Sequence, residues 1–322
     1  MEMTLEDEAV LPQINMDFVH NSYKYKPKEL YISELKWKML MWSAISGENI
    51  MMTGHSGSGK TLAARIVAMV LKRPFFKFNL GAMQDPRASL IGNTLFNKDK
   101  GTYFSKSKFI EAITTPNAII LLDEASRAHP DAQNILLTIL DEDQRYVRLD
   151  EQDEQEIIYV AEGVTFIATA NIGNAYTGTR DMDRASVDRY TIIEMELLNE
   201  AQEIELIKYK YPNANVFSLE LLAKVSAKVK EDFLTEDSNI TNLMSTRRVC
   251  KAAKLINDGF TLGEALEVKL LPLFNNEGGA DSERNYILTL IASIVPQDEE
   301  SRKNLFNKKV SANNPFKKKE KK

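Results

Sequence analysis

The chain has 322 residues, 43% of them hydrophobic and 27% charged, enough for one large or two modest domains with a real core. Its net charge of −5 excludes a protein that binds nucleic acid through overall basicity. One cysteine and three histidines, at 20, 55 and 129, exclude an internal disulfide and leave no metal-ligand cluster.

No apolar run has membrane-spanning length, and Met1 leads into an acidic stretch instead of a signal segment, so a cytoplasmic protein is expected. Residues 1–30 are polar and interrupted by Pro12 and Pro27, and read as an irregular arm. Tyr31 to Ser46 reads as a helix with Leu35, Met39, Trp42 and Ala44 on its apolar side. Trp37 and Trp42 suit either part of an adenine pocket or plain packing.

The apolar run Ile50-Met51-Met52 leads into Gly54-His55-Ser56-Gly57-Ser58-Gly59-Lys60-Thr61, and a helix follows from Leu62. This is the P-loop pattern in its proper setting, between strand and helix. Glycines let successive N–H groups turn inward, and the helix N-terminus adds its positive end. The pattern implies ATP held by residues 54–62. Lys60 would reach the β/γ-phosphates and the Thr61 hydroxyl would bind Mg²⁺.

Further strands and helices alternate after the P-loop. Phe75 to Leu80 is a strand, Asp85 to Ile91 a short helix, Thr94 to Phe104 a hairpin, and Phe109 to Ile113 a helix ending near Pro116. Ala118 to Leu122 is a fully apolar run, expected of a buried parallel strand, and it ends in Asp123-Glu124. An open α/β sheet binds its ligand at such strand ends. Asp123 is therefore expected on Mg²⁺, and Glu124 on the attacking water. Pro130 and Asp131 open a helix whose buried side is Ile135, Leu136, Ile139 and Leu140. Arg145–Leu149 and Ile157–Val160 flank an acidic turn, a second hairpin expected to project into solvent. Val164–Ala170 is another buried strand, Met182–Asp188 a short helix, and Thr191–Leu198 the last strand.

From residue 199 only helices are expected: 200–210, 218–233, 246–258, 262–272 and 283–294. Ser245 is a candidate N-cap and Gly259 a C-terminal stop for the third. Cys250 falls within that helix as small core filler. The expected fold is thus a three-layer α/β/α P-loop domain with a parallel sheet (31–198), then a smaller all-helical lid (199–296). A basic tail, 297–322, ends in Lys317-Lys318-Lys319-Glu320-Lys321-Lys322.

Four motifs occur in order: the P-loop, Leu-Leu-Asp-Glu-Ala-Ser-Arg-Ala (121–128), Phe-Ile-Ala-Thr-Ala-Asn (166–171) and Met-Asp-Arg-Ala-Ser-Val-Asp-Arg-Tyr (182–190). Together they resemble the AAA+ ATPases, in particular the MoxR-like branch. Asn-Ile-Gly-Asn-Ala-Tyr-Thr-Gly-Thr-Arg (171–180) looks like the cobaltochelatase ATPase subunit. The resemblance implies further roles. Asn171 matches sensor 1. Arg189 matches the arginine finger that reaches a neighbouring subunit's γ-phosphate. Arg184 is either a second such arginine or a partner of Asp181 or Asp188. Ser245-Thr246-Arg247 matches the start of the lid helix, which makes Arg247, or the adjacent Arg248, sensor 2. Asn79 is a switch residue on Glu124 or a turn asparagine.

The resemblance also implies a homo-oligomeric ring, commonly a hexamer, that hydrolyses ATP to remodel a separate client or A-domain partner. Two other functions compete. One is a DNA-directed ATPase using the lysine-rich tail. The other is a nucleotide-gated scaffold, which an intact Asp123, Glu124, Asn171 and Arg189 argue against.

Overall fold

The computed structural model describes residues 15–98, 101–149, 156–171, 183–235, 238 and 240–296. The basic tail, the acidic turn of the second hairpin, Arg180 and Asp181 lie outside them. The chain divides into two compact units, 1–196 and 197–322.

The first unit is built on five parallel strands. These are β1 (Ile50–Thr53), β2 (Phe75–Asn79), β5 (Ile119–Asp123), β8 (Thr165–Ala170) and β9 (Thr191–Glu194), in the order β2-β5-β8-β1-β9. The central strands β1, β5 and β8 are buried throughout and mostly apolar, because the pleat sends alternate residues to opposite faces and both faces are covered. Ile119, Leu121, Ile167, Ile50 and Met52 enter the core under helices α2 (Glu34–Ser46) and α3 (Lys60–Leu71). Ile120, Leu122, Phe166, Ala168 and Met51 enter the core on the other face, with α5 (Lys108–Ile113) and α6 (Pro130–Leu140). This is the three-layer α/β/α arrangement expected. Pro130 stands in the first turn of α6, where its missing N–H costs nothing, and His129 Nδ1 accepts from the Asp131 amide at 3.2 Å.

Three expectations on this unit need correction. The arm is not irregular where it is described. Met16–Asn21 forms α1, capped by the Asn15 side chain on the Phe18 amide, and a 3-10 turn follows at Ser22–Tyr25. Val19 and Leu30 are buried, so the arm belongs to the domain. In α2, Leu35 is 71% exposed; the buried face is Trp37, Leu40, Met41 and Ala44. That set follows the i, i+3, i+4, i+7 spacing, whereas the 35-39-42 set lies off this face. Trp37 is fully buried and its indole N–H donates to Ser22 Oγ at 3.0 Å, so it packs and does not line a pocket.

The second hairpin, β6 (Tyr146–Leu149) with β7 (Glu156–Tyr159), does not simply project into solvent. Val147, Leu149 and Ile158 are buried in the core, while Ile157 and Tyr159 face out. The first hairpin, β3 (Gly92–Asn97) with β4 (Gly101–Lys106), follows the short helix α4 (Pro86–Leu90) and exposes Leu95, Phe96 and Tyr103. Lys106 joins Glu156 at 2.8 Å, which links the base of the first hairpin to the turn end of the second.

The last helix of this unit, α7 (Arg184–Val187), precedes β9. The second unit holds α8 (Glu200–Lys210), α9 (Val216–Phe233), α10 (Thr246–Asn257), α11 (Leu262–Lys269) and α12 (Glu283–Ile294). Their apolar faces close one core around Leu222, Val225, Val249, Leu266 and Ile287. Capping boxes fix two starts, Asn199 with Gln202 and Thr261 with Glu264. Ser245 occupies the N-cap position of α10 without a side-chain hydrogen bond, and Gly259, at φ 97, follows its end. Cys250 is half-buried against this core, and burial pushes its thiol pKa up.

Candidate active site

The loop between β1 and α3 turns on three left-handed glycines: Gly54 (φ 136), Gly57 (φ 85) and Gly59 (φ 95). At Gly54 a Cβ would also lie 2.3 Å from the carbonyl oxygen of Met195, so no other residue fits there. Gly59 caps α3 without a side chain, which leaves the helix's first amides unclaimed by any cap. Lys60 is buried and folds back on its own loop, donating to the carbonyls of Gly54 at 2.8 Å and His55 at 2.9 Å. Ser58 Oγ is buried with no hydrogen-bond partner among the described residues. His55 is half-buried, Ser56 exposed, and Leu62 packs partly against the α2/α3 core. Burial, then the Lys60 charge, holds the His55 pKa below the ordinary value, so the ring is neutral near pH 7.

Asp123 ends β5 beside this loop. Its Oδ1 accepts from Thr169 Oγ1 at 2.5 Å and from Thr61 Oγ1 at 3.2 Å, and its Oδ2 pairs with Lys77 Nζ at 2.7 Å. Burial alone would raise its pKa, but Lys77, Thr169 and Thr61 together outweigh burial and hold the carboxyl below its ordinary value. The acid is therefore ionised at neutral pH. Thr169 also accepts from the Glu124 amide at 3.1 Å, which fixes the chain where it leaves β5. Glu124 sits at φ 59, uncommon for a residue with a Cβ, and its half-buried side chain makes no hydrogen bond among the described residues. Asn171 directly follows β8, and its amide donates to Ser126 Oγ at 3.4 Å.

Thus Lys60, Thr61, Asp123, Glu124 and Asn171 stand at the carboxyl ends of three neighbouring strands or just beyond them. Asn79 lies opposite Asp123 in register, but its side chain is exposed and makes no hydrogen bond to Glu124. Lys77 and Thr169 were missed in the sequence. Their signal was strand alternation, which puts Lys77 on the face of β2 shared with Asn79, and Thr169 two residues before Asn171.

The arginines divide. The Arg189 guanidinium is engaged within its own chain. It donates to the Leu137 carbonyl at 3.1 Å, to Asp141 Oδ2 at 2.9 Å and to the Ala185 carbonyl. Arg184, the first residue of α7, is exposed and makes no ion pair with Asp188. Arg247 and Arg248 are both exposed on the first turn of α10, in the second unit.

These residues fit a nucleotide with a hard divalent cation. The glycine cradle, the unclaimed amides of α3, the partnerless Ser58 hydroxyl and the buried Lys60 suit phosphate. Thr61 and Asp123 offer hard oxygens, one of them charged. No group of three or more His, Cys, Asp or Glu side chains among the described residues could hold a metal alone. That is the donor set Mg²⁺ takes when phosphates complete its shell.

The fold and site define a P-loop ATPase domain whose strand order brings β8 between the two motif-bearing strands. The AAA domain of the dynein-related subfamily matches residues 49–190. The chain is 30% identical over 223 residues to "Putative chaperone BssE" of Thauera aromatica, covering 69% of this chain and 74% of that protein. It is 31% identical over 173 residues to "Lon protease homolog, mitochondrial 1" of Dictyostelium discoideum, 51% of this chain and 16% of that one. It is 27% identical over 290 residues to "Lon protease" of Malacoplasma penetrans (strain HF-2), 85% of this chain and 34% of that one. The chain belongs to the AAA+ ATPase family. It spans less than two thirds of the length of these Lon relatives.

Proposed function

We propose that this chain binds and hydrolyses ATP as a ring of subunits of the MoxR-like kind and uses the energy to remodel a separate partner protein. The observation that carries the reading is the convergence of Thr61, Thr169 and Asp123 beside a P-loop whose lysine is buried. Bound Mg²⁺, held by Thr61 and Asp123, would neutralise phosphate charge.

The chain's own residues do the rest. Backbone amides of the loop and α3 grip the phosphates. Lys60 leaves the Gly54 and His55 carbonyls for the β/γ-phosphates. Glu124, whose side chain makes no hydrogen bond among the described residues, is available to accept a proton from water, and Asn171 aligns that water. The chaperone name of the relative from Thauera aromatica supports a protein client. The exposed Leu95, Phe96 and Tyr103 of the first hairpin are a surface suited to one. No helix among the described residues is long and apolar enough to cross a membrane.

Glu124→Gln tests the reading. ATP affinity should persist while hydrolysis falls roughly 10²–10⁴-fold, the scale for one positioned acid–base group. Fluorescent-nucleotide binding and phosphate release measure the two. Equal hydrolysis in variant and wild type would remove Glu124 from the mechanism.

A further inference from the structure

Lys77 is a lysine on the edge strand β2, and nothing in the P-loop chemistry above requires it. The pleat of β2 turns Phe76 and Phe78 toward the α5/α6 core and Phe75 toward the α2/α3 core. Lys77 and Asn79 alternate with Phe76 and Phe78, so they share the α3 side of the sheet with Asp123. From there Lys77 reaches Asp123 Oδ2 at 2.7 Å and is the one cation paired with Asp123 among the described residues. The other carboxylate oxygen already carries two hydroxyl donors, Thr169 and Thr61. Among the described residues Asp123 is thus held by one ammonium and two hydroxyls. The Asp123 side chain is 13% exposed and that of Lys77 45%, so the acid is fixed while the lysine can swing into water.

We propose that Lys77 is a tethered counter-ion on Asp123 that a divalent cation must displace, so that metal loading is set by competition with a side chain of the edge strand. The proposal rests on the ATP reading above. A buried carboxylate needs a compensating charge when the site is empty, and Lys77 supplies it. A cation arriving at the same carboxylate meets an ammonium of like sign, and the two repel at short range in a partly dry site. Loading therefore releases Lys77, and the edge strand is where the metal state becomes visible to solvent.

The probe is Mn²⁺, titrated by electron paramagnetic resonance into full-length protein held in excess over ADP. Lys77→Gln keeps a polar side chain and removes the charge. It should lower the Mn²⁺ concentration at half-saturation roughly three- to tenfold, on the scale of one partly exposed charge contact, and more at low salt. Lys77→Arg should keep the wild-type midpoint. Amine labelling read by mass spectrometry should make Lys77 more reactive with Mn²⁺ and ADP together than with ADP in chelator.

An unchanged or raised midpoint in Lys77→Gln overturns the competition. So does weaker ADP binding by that variant in chelator, which would make Lys77 a phosphate ligand. Wild type and Lys60→Ala binding ADP equally, or not at all, would instead overturn the ATP reading and the competition with it. Binding that depends on Lys60 but shows no midpoint shift sinks the competition alone.

Discussion

Arg184→Ala and Lys60→Ala, each inactive alone, should recover ATP hydrolysis when mixed. An arginine acting across a subunit boundary stabilises charge that builds on the neighbour's γ-phosphate, and losing one costs about 10³–10⁵ in rate. In a mixed ring some boundaries join an intact P-loop to an intact arginine. The resemblance gives this role to Arg189, but that guanidinium is held by Leu137, Asp141 and Ala185 of its own chain. Reaching a neighbour would require it to abandon a carboxylate. Arg184, exposed at the start of α7, needs no such release.

Arg189→Ala should therefore lose stability at the α6–α7 junction and stay inactive in any mixture. The measurement is an ATPase titration of the paired variants, with assembly followed by sedimentation. Rescue of Arg189→Ala, and not of Arg184→Ala, would return the role to Arg189 and make the Asp141 contact one that assembly breaks.

Removing one member of the buried Glu203–Lys230 pair should cost the second unit about 3–5 kcal/mol. Glu203 is fully buried on α8, and its Oε1 accepts from Lys230 of α9 and from Thr246 Oγ1, at 2.7 Å, of α10. Lys230 also donates to the Leu198 carbonyl at 3.1 Å. Burial lowers the Lys230 pKa, and Glu203 opposes that shift. Glu203→Ala strands a buried ammonium, and Lys230→Met strands a buried carboxylate.

The double variant Glu203→Leu/Lys230→Met should be far less damaged than either single one, because two apolar groups need no partner. Urea unfolding followed by far-ultraviolet circular dichroism reads the helices of both units. Both tryptophans, Trp37 and Trp42, lie in the first unit, so their fluorescence reports whether the effect stays local. Additive single and double effects would mean that the pair is not coupled.

What could be read from the sequence was what local chemistry dictates. A phosphate loop needs glycine, lysine and threonine within a few residues, so residues 54–61 announced themselves. The strands carrying Asp123 and Asn171 are buried on both faces, and their apolar runs gave them away. Two helix spans, 200–210 and 283–294, came out with the observed bounds because Asn199 and Ser282 cap their starts. What was hidden depends on strand register and long loops. Thr169 stands 46 residues from Asp123, and Arg189 stands 48 from Asp141. No spacing rule links such pairs before the sheet is assembled. The arm was misread because polar composition concealed Val19 and Leu30, two buried anchors in an otherwise hydrophilic segment.

Among the described residues β2 lies at one end of the five-strand sheet and pairs only with β5. It reads Phe-Phe-Lys-Phe-Asn, three aromatics on a strand whose outer backbone groups have no strand partner among those residues. Such an edge is a template for strand addition and aggregation. A charge in its middle discourages that pairing. Lys77 therefore serves as a gatekeeper as well as a counter-ion, and copies of this chain should associate through surfaces other than this edge.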